Sequence, residues 1–295
     1  MVQSLYKIAN VDHMDPFLMS ITSGSDHWMY LSSTGCLTAG RKKAEQALFP
    51  YVTDDLLHQN AHFTGPVTII RIRGSENVLV WHPFSDAGQS YKIEVNLYKN
   101  SLGNTVLFEE INHSLGLTFH YKWQASSEYG FIRKSFLINF GEKSIQVELL
   151  DGLRNIMPAG VELRTQQEMS NLANAYKVSE YMPDADCALF FMNALLMDRP
   201  EPGESLYTNL VWSYYNGEKN ISLSEDDISR FKDNGAFSGA HLVKGKPGSF
   251  LTKIEKNLKP GSEIHWYTVA DVHQSQSEVT HLISNFNDSS NIEIK

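Results

Sequence analysis

The chain has 295 residues, 42% of them hydrophobic and 20% charged, which is enough to bury a core and excludes a disordered protein. Its formal charge is -9 at pH 7, and no basic run exceeds Arg41-Lys42-Lys43, so neither nucleic acid nor a membrane is expected as a partner. Two cysteines, Cys36 and Cys187, are too few for a disulfide framework and lie in no metal-ligand spacing. Each reads as a small buried hydrophobe, and no cofactor or metal is expected. Residues 1–7 show no apolar leader, and the apolar run 187–197 is too short to span a bilayer, which gives a cytoplasmic expectation.

In chain order, the first informative stretch is 27–55. It reads as an apolar strand, 28–31, followed by a long irregular loop carrying Arg41, Phe49, Pro50, Tyr51, Asp54 and Asp55. Long structureless loops inside compact domains are uncommon and are usually functional. Planar rings beside an arginine and carboxylates suit a sugar, since rings cover the apolar face of a pyranose and charged groups take its hydroxyls. Trp28 and Tyr51 for stacking, Arg41 for a hydroxyl or phosphate, and Asp54 and Asp55 for hydroxyls form the candidate ligand-binding set. The competing reading is a core tryptophan followed by a surface loop.

From residue 67 onward, period-2 alternation predicts strands at 67–74, 78–81, 91–97, 106–111, 117–123, 131–140 and 144–150. Such spacing without intervening helices indicates antiparallel β architecture. The second half is mixed: a helix over 162–176, strands at 187–197, 206–215, 250–254 and 264–269, a short helix from 224 to 231, and a last helix over 275–287. The turn at 199–203 is rich in Pro and Gly. No linker or internal repeat divides the chain, so residues 1–272 are expected to form one large β-sandwich and 273–295 a terminal helix.

The segments 28–41 (WMYLSSTGCLTAGR), 48–51 (LFPY) with 53–55 (TDD), 149–158 (LLDGLRNIMP) and 266–271 (WYTVAD) resemble the N-terminal region of cellobiose-phosphorylase-like, carbohydrate-active proteins. The resemblance implies a mainly β fold: a large antiparallel β-supersandwich of the galactose-mutarotase-like type with a few short helices. It further implies that 273–295 begin a linker to a catalytic (α/α) barrel that carries the general acid and is absent from this chain. The chain would then be a non-catalytic domain supporting that barrel and completing its sugar site, with an oligosaccharide or sugar phosphate as ligand and a homodimer as a further expected assembly.

The alternative is a stand-alone aldose 1-epimerase (mutarotase), which needs a His/Glu acid–base pair. His113 and His120 near Glu110 are the residues to supply it. Other acids read as structural. Asp226 and Asp227 open a helix, where the macrodipole favours them. Glu109 and Glu110 are strand neighbours and point to opposite faces. Asp151, Arg154 and Asn155 suggest a turn with Arg154 paired to a carboxylate, a structural corner favoured over a sugar contact, and Asp271 suggests a cap for the last helix. His58 and His62 are spaced i, i+4 but lack the glutamate that a zinc-protease helix requires.

Overall fold

The computed structural model describes residues 5–286 apart from 53, 75–76, 86–89 and 195–204. Among these, nineteen strands form three sheets, and every hydrogen-bonded neighbour is antiparallel. The ten-stranded sheet runs β1 (Leu5–Ala9), β8 (Ile93–Asn100), β9 (Thr105–Asn112), β10 (Leu117–Ser126), β11 (Gly130–Asn139), β19 (Glu263–Ser275), β15 (Tyr207–Tyr214), β14 (Cys187–Met192), β13 (Lys177–Met182) and β17 (Leu242–Lys244). A five-stranded sheet holds β16 (Asn220–Ser222), β18 (Gly248–Leu258), β12 (Ile145–Ile156), β6 (Gly65–Arg73) and β7 (Val78–Trp81). The four-stranded sheet is β2 (Leu18–Ile21), β3 (His27–Ser32), β4 (Leu37–Arg41) and β5 (Ala47–Phe49). Five α-helices accompany the strands among the described residues, besides three single-turn 3-10 helices: α1 (Asp54–Gln59), α2 (Leu163–Glu168), α3 (Ser170–Tyr176), α4 (Asp226–Asn234) and α5 (Gln276–Phe286).

Alternation sets which side of each strand is buried. Along β10, Leu117, Phe119, Tyr121 and Trp123 are buried while Thr118, His120, Lys122 and Gln124 are only partly so. The buried faces of all three sheets meet in one apolar cluster: Phe108 and Trp266 come from the ten-stranded sheet, Ile70 and Leu149 from the five-stranded, and Leu31 and Phe49 from the four-stranded. On the far side of the five-stranded sheet, Phe231 of α4 packs on Val67, Ile69, Leu150 and Leu251. Leu282 of α5 packs with Trp212 and Tyr267 of the ten-stranded sheet. The mainly antiparallel β-sandwich with a few short helices is therefore the fold.

Several local expectations are corrected. Residues 27–55 are not a long irregular loop: β3, β4 and β5 form a meander whose inward residues, Met29, Leu31, Leu37, Ala39, Leu48 and Phe49, join the core. The helix expected over 162–176 breaks at Met169, whose backbone leaves the helical region at φ -132 and ψ 35. Its expected apolar face (Leu163, Met169, Leu172, Ala173, Tyr176) is buried only in part: Ala173 joins a small apolar cluster with Tyr176 packed against it, whereas Met169 and Leu172 stay 38% and 49% exposed. Asp151 is no turn residue but sits inside β12, fully buried. Among the described residues Arg154 makes no ion pair with a carboxylate; its guanidinium donates to the carbonyls of Ala61, His62 and Pro66. Asp271 lies within β19, and the last helix is capped instead by Ser275, whose N–H and hydroxyl both donate to the Glu278 carboxylate. The 199–203 turn lies outside the described residues. Cys36 and Cys187 are both free and buried, as expected.

Candidate functional site

A cavity of about 540 Å³ opens where the two larger sheets meet. Glu110 of β9 and Tyr121 of β10 line it from one sheet; Thr68 of β6 and Arg154 of β12 line it from the other; His82 and Phe84 follow β7. Glu110 occupies an inward position of its strand, in phase with Val106 and Phe108, and is only 2% exposed. Its Oε1 accepts the indole N–H of Trp81 at 2.7 Å and its Oε2 accepts the backbone N–H of Phe84 at 2.5 Å. Burial raises the Glu110 pKa; the N–H donors of Phe84 and Trp81 oppose that rise, and the charge of Asp12 adds to it.

His82 experiences the converse effect. Burial, reinforced by the positive charges of Lys232 and Arg154, lowers its pKa to about 4, so its imidazole is neutral at pH 7. His62 lies at the exposed rim, and its carbonyl accepts from Arg154 Nη1 at 2.5 Å. Behind the wall, Thr68 Oγ1 donates to Asp151 Oδ1 at 2.6 Å, and Arg133 stacks 4.4 Å from the centre of the Tyr121 ring. The cavity thus combines a carboxyl group, a neutral imidazole, a guanidinium and an aromatic wall. That set accepts and donates hydrogen bonds to a polyhydroxylated ligand and can move a proton at one of its oxygens.

The residues singled out from the sequence occupy other places. Trp28 and Tyr51 do come together, edge to face with ring centres 5.6 Å apart, and Tyr30 lies 6.2 Å from Trp28. Trp28 pairs with Gly40 and His27 with Arg41 across β3 and β4, so Trp28 and Arg41 emerge on opposite faces of the four-stranded sheet. Arg41 Nε donates to Asp26 at 2.9 Å, and its Nη1 lies 3.7 Å from Asp271. The Arg41 guanidinium holds the Asp26 carboxyl below its ordinary pKa. Arg41 also borders two shallow depressions beside Glu278 and Ser277. Asp54 and Asp55 begin α1, and their side chains lie outside the described residues.

The histidines weighed for acid–base chemistry are not beside Glu110. His120 faces Glu109 across the β9–β10 pair, on the side opposite Glu110, and packs 4.5 Å from Phe136. His113 lies 3.7 Å from Glu94 at the surface. His82 and Tyr121 carry no such signal in the sequence, and Arg154 is favoured there as part of a structural corner over a sugar contact. The legible signal was Glu110 itself, an acid in phase with the apolar residues of its strand. Among the described residues no cluster of three or more His, Cys, Asp or Glu is placed to hold a metal ion, and no helix is long and apolar enough to cross a membrane.

No protein-family model matches the sequence, and comparison with curated proteins finds no match. Solved structures with a similar course include an aldose epimerase homologue from C. elegans, with TM-score 0.49 and 10% identity, covering 89% of this chain and 100% of that one. A polysaccharide lyase gives TM-score 0.47 and 10% identity over 91% of this chain and 34% of its own. A kojibiose phosphorylase from the human microbiome gives 0.41 and 9%, over 94% and 29%. The chain thus spans about a third of the lyase and of the phosphorylase, and the full length of the epimerase homologue. At these identities and scores no residue role is carried across, and the site is read from its own side chains.

Proposed function

We propose that this chain is a carbohydrate-binding β-sandwich of a carbohydrate-active protein and that it takes a sugar in the cavity around Glu110. One observation carries the reading: a nearly buried carboxyl group held by two N–H donors faces a cavity of about 540 Å³ that also presents His82, Arg154 and Tyr121. That volume lies within the usual range for small-molecule sites, in which a few fixed polar groups set orientation. The Trp28–Tyr51 pair and Arg41 are proposed as secondary contacts for an extended glycan or for a neighbouring domain. Residues 273–295 are proposed to lead toward a catalytic (α/α) barrel. Calorimetric titration with a panel of mono- and disaccharides tests the reading: binding by the unmutated chain, abolished in Glu110→Ala, is expected.

A second reading, an aldose 1-epimerase, is favoured by one feature. Glu110 with a raised pKa and His82 with a lowered one share the cavity, and opposed shifts of this kind mark acid–base pairs. Polarimetry separates the two. An epimerase accelerates anomer equilibration of glucose or galactose and loses that activity in His82→Ala, whereas a binding domain leaves the equilibration rate at its uncatalysed value.

A further inference from the structure

Phe84 has a backbone φ of +60. A bulky aromatic residue in the left-handed region is strained and persists only where its surroundings over-determine it. Here they do. The Phe84 ring is wedged against Phe108, Phe119 and Tyr121, with centres 6.2, 6.0 and 5.4 Å away. In that conformation the Phe84 N–H points at Glu110 Oε2, while Trp81, three residues earlier and fully buried, delivers its indole N–H to Oε1. The end of β7 in the five-stranded sheet thus reaches across the core to fix a side chain of the ten-stranded sheet.

We infer that Trp81 and Phe84 are positioning residues: the strained turn between them fixes both oxygens of the Glu110 carboxyl group in the cavity, as the hydrogen-bonding anchor for hydroxyls of a bound sugar. Burial disfavours the charged form of this carboxyl group, and the two N–H donors oppose that effect. The other charged or titratable groups around it are Asp12 on the segment before β2, His82 after β7, Tyr121 on β10, Arg154 on β12 and His62 at the rim. Asp12 opposes ionisation, so the two donors work against both burial and a like charge. The sugar part of this inference rests on the reading of the cavity given above; the titration part does not.

The test follows the Glu110 carboxyl carbon by NMR against pH in the full chain, with Glu110→Gln identifying the resonance. Trp81→Phe removes the N–H and keeps an aromatic ring. Its Glu110 midpoint is expected to rise by about one pH unit, a tenfold change in the ionisation constant, and its sugar affinity at pH 7 to fall at least fivefold. In the unmutated protein the Trp81 indole resonance is expected to move with the Glu110 midpoint, a reading that stands even if the variant does not fold. A midpoint unchanged in Trp81→Phe, or an indole resonance indifferent to the Glu110 titration, overturns the positioning role. Failure of the unmutated chain to bind any sugar overturns the reading of the cavity, and the titration still decides the positioning role of Trp81.

Discussion

Arg133 Nη1 donates to Asp151 Oδ2 at 2.6 Å, and both side chains are entirely buried. Arg133 belongs to β11 and Asp151 to β12, so the pair ties the ten-stranded sheet to the five-stranded one. Asp151 also accepts from Thr68 Oγ1 and from Trp266 Nε1, each at 2.6 Å. Hydrogen bonds from three elements satisfy this carboxylate, which is what lets a charge persist in the core. Arg133→Met leaves the buried Asp151 carboxyl group without its cation. Loss of one partner of a buried pair costs about 3–5 kcal/mol, so equilibrium denaturation should show a fall of that size. A loss below about 1 kcal/mol would show that the pair does not join the sheets energetically.

His82 gives a pH dependence with a definite sign. Its folded pKa, about 4, lies below the ordinary histidine value of 6.5. The neutral form is favoured on folding, so the stability it contributes is fully present above pH 6.5 and is lost as pH falls toward 4. The full loss is on the order of 3 kcal/mol. The difference in stability between His82→Gln and the unmutated chain, followed by denaturant melts from pH 7.5 to 4.5, should narrow as pH falls. A difference constant with pH contradicts the shift.

Glu110 has the opposite linkage. Its folded pKa is raised, so its contribution is present below the ordinary carboxylate value and lost as pH rises through the folded value. Glu110→Gln should therefore gain in relative melting temperature as pH is raised from about 4 to 7. Parallel curves for variant and unmutated protein would mean that Glu110 titrates as in the unfolded chain.

Gly40 allows the placement of Trp28. A Cβ at this position would lie 2.5 Å from Trp28 Cζ2 and 2.5 Å from the Gln46 carbonyl oxygen. Gly40→Ala must push the indole off the strand or shift the 44–47 segment. Overpacking of this kind costs roughly 1–3 kcal/mol, and tryptophan fluorescence should shift as the Trp28–Tyr51 contact opens. Unchanged fluorescence and melting temperature contradict this packing.

Much of the fold was legible because strands buried on one face write their period into the sequence. The alternations at 106–111 and 117–123 match β9 and β10. Residues 27–55 were harder to read. In β4, Leu37 to Gly40 are all buried, two of them small, so the period disappears and a strand resembles a loop. Asp151 misled for a related reason: an acid beside a glycine suggests a turn, and only the three-dimensional meeting of Arg133, Thr68 and Trp266 makes it a core residue. Of the candidate site the sequence offers only Glu110, there as a partner for His113 or His120; its phase along β9, shared with Val106 and Phe108, is the signal that marks it as inward. Its neighbours in the cavity come from positions 12, 62, 68, 82, 121 and 154. Strand pairing across two sheets assembles them, and no local spacing records it.

Sugar binding at the Glu110 cavity is tested most directly by a heteronuclear NMR titration of the full chain with a panel of neutral mono- and disaccharides, repeated on Glu110→Ala. Saturable shifts in resonances of Tyr121, His82 and Thr68, absent in the variant, are the expected result. Shifts confined to Trp28, Tyr51 or Arg41, or a titration unchanged by loss of Glu110, would contradict binding in the cavity.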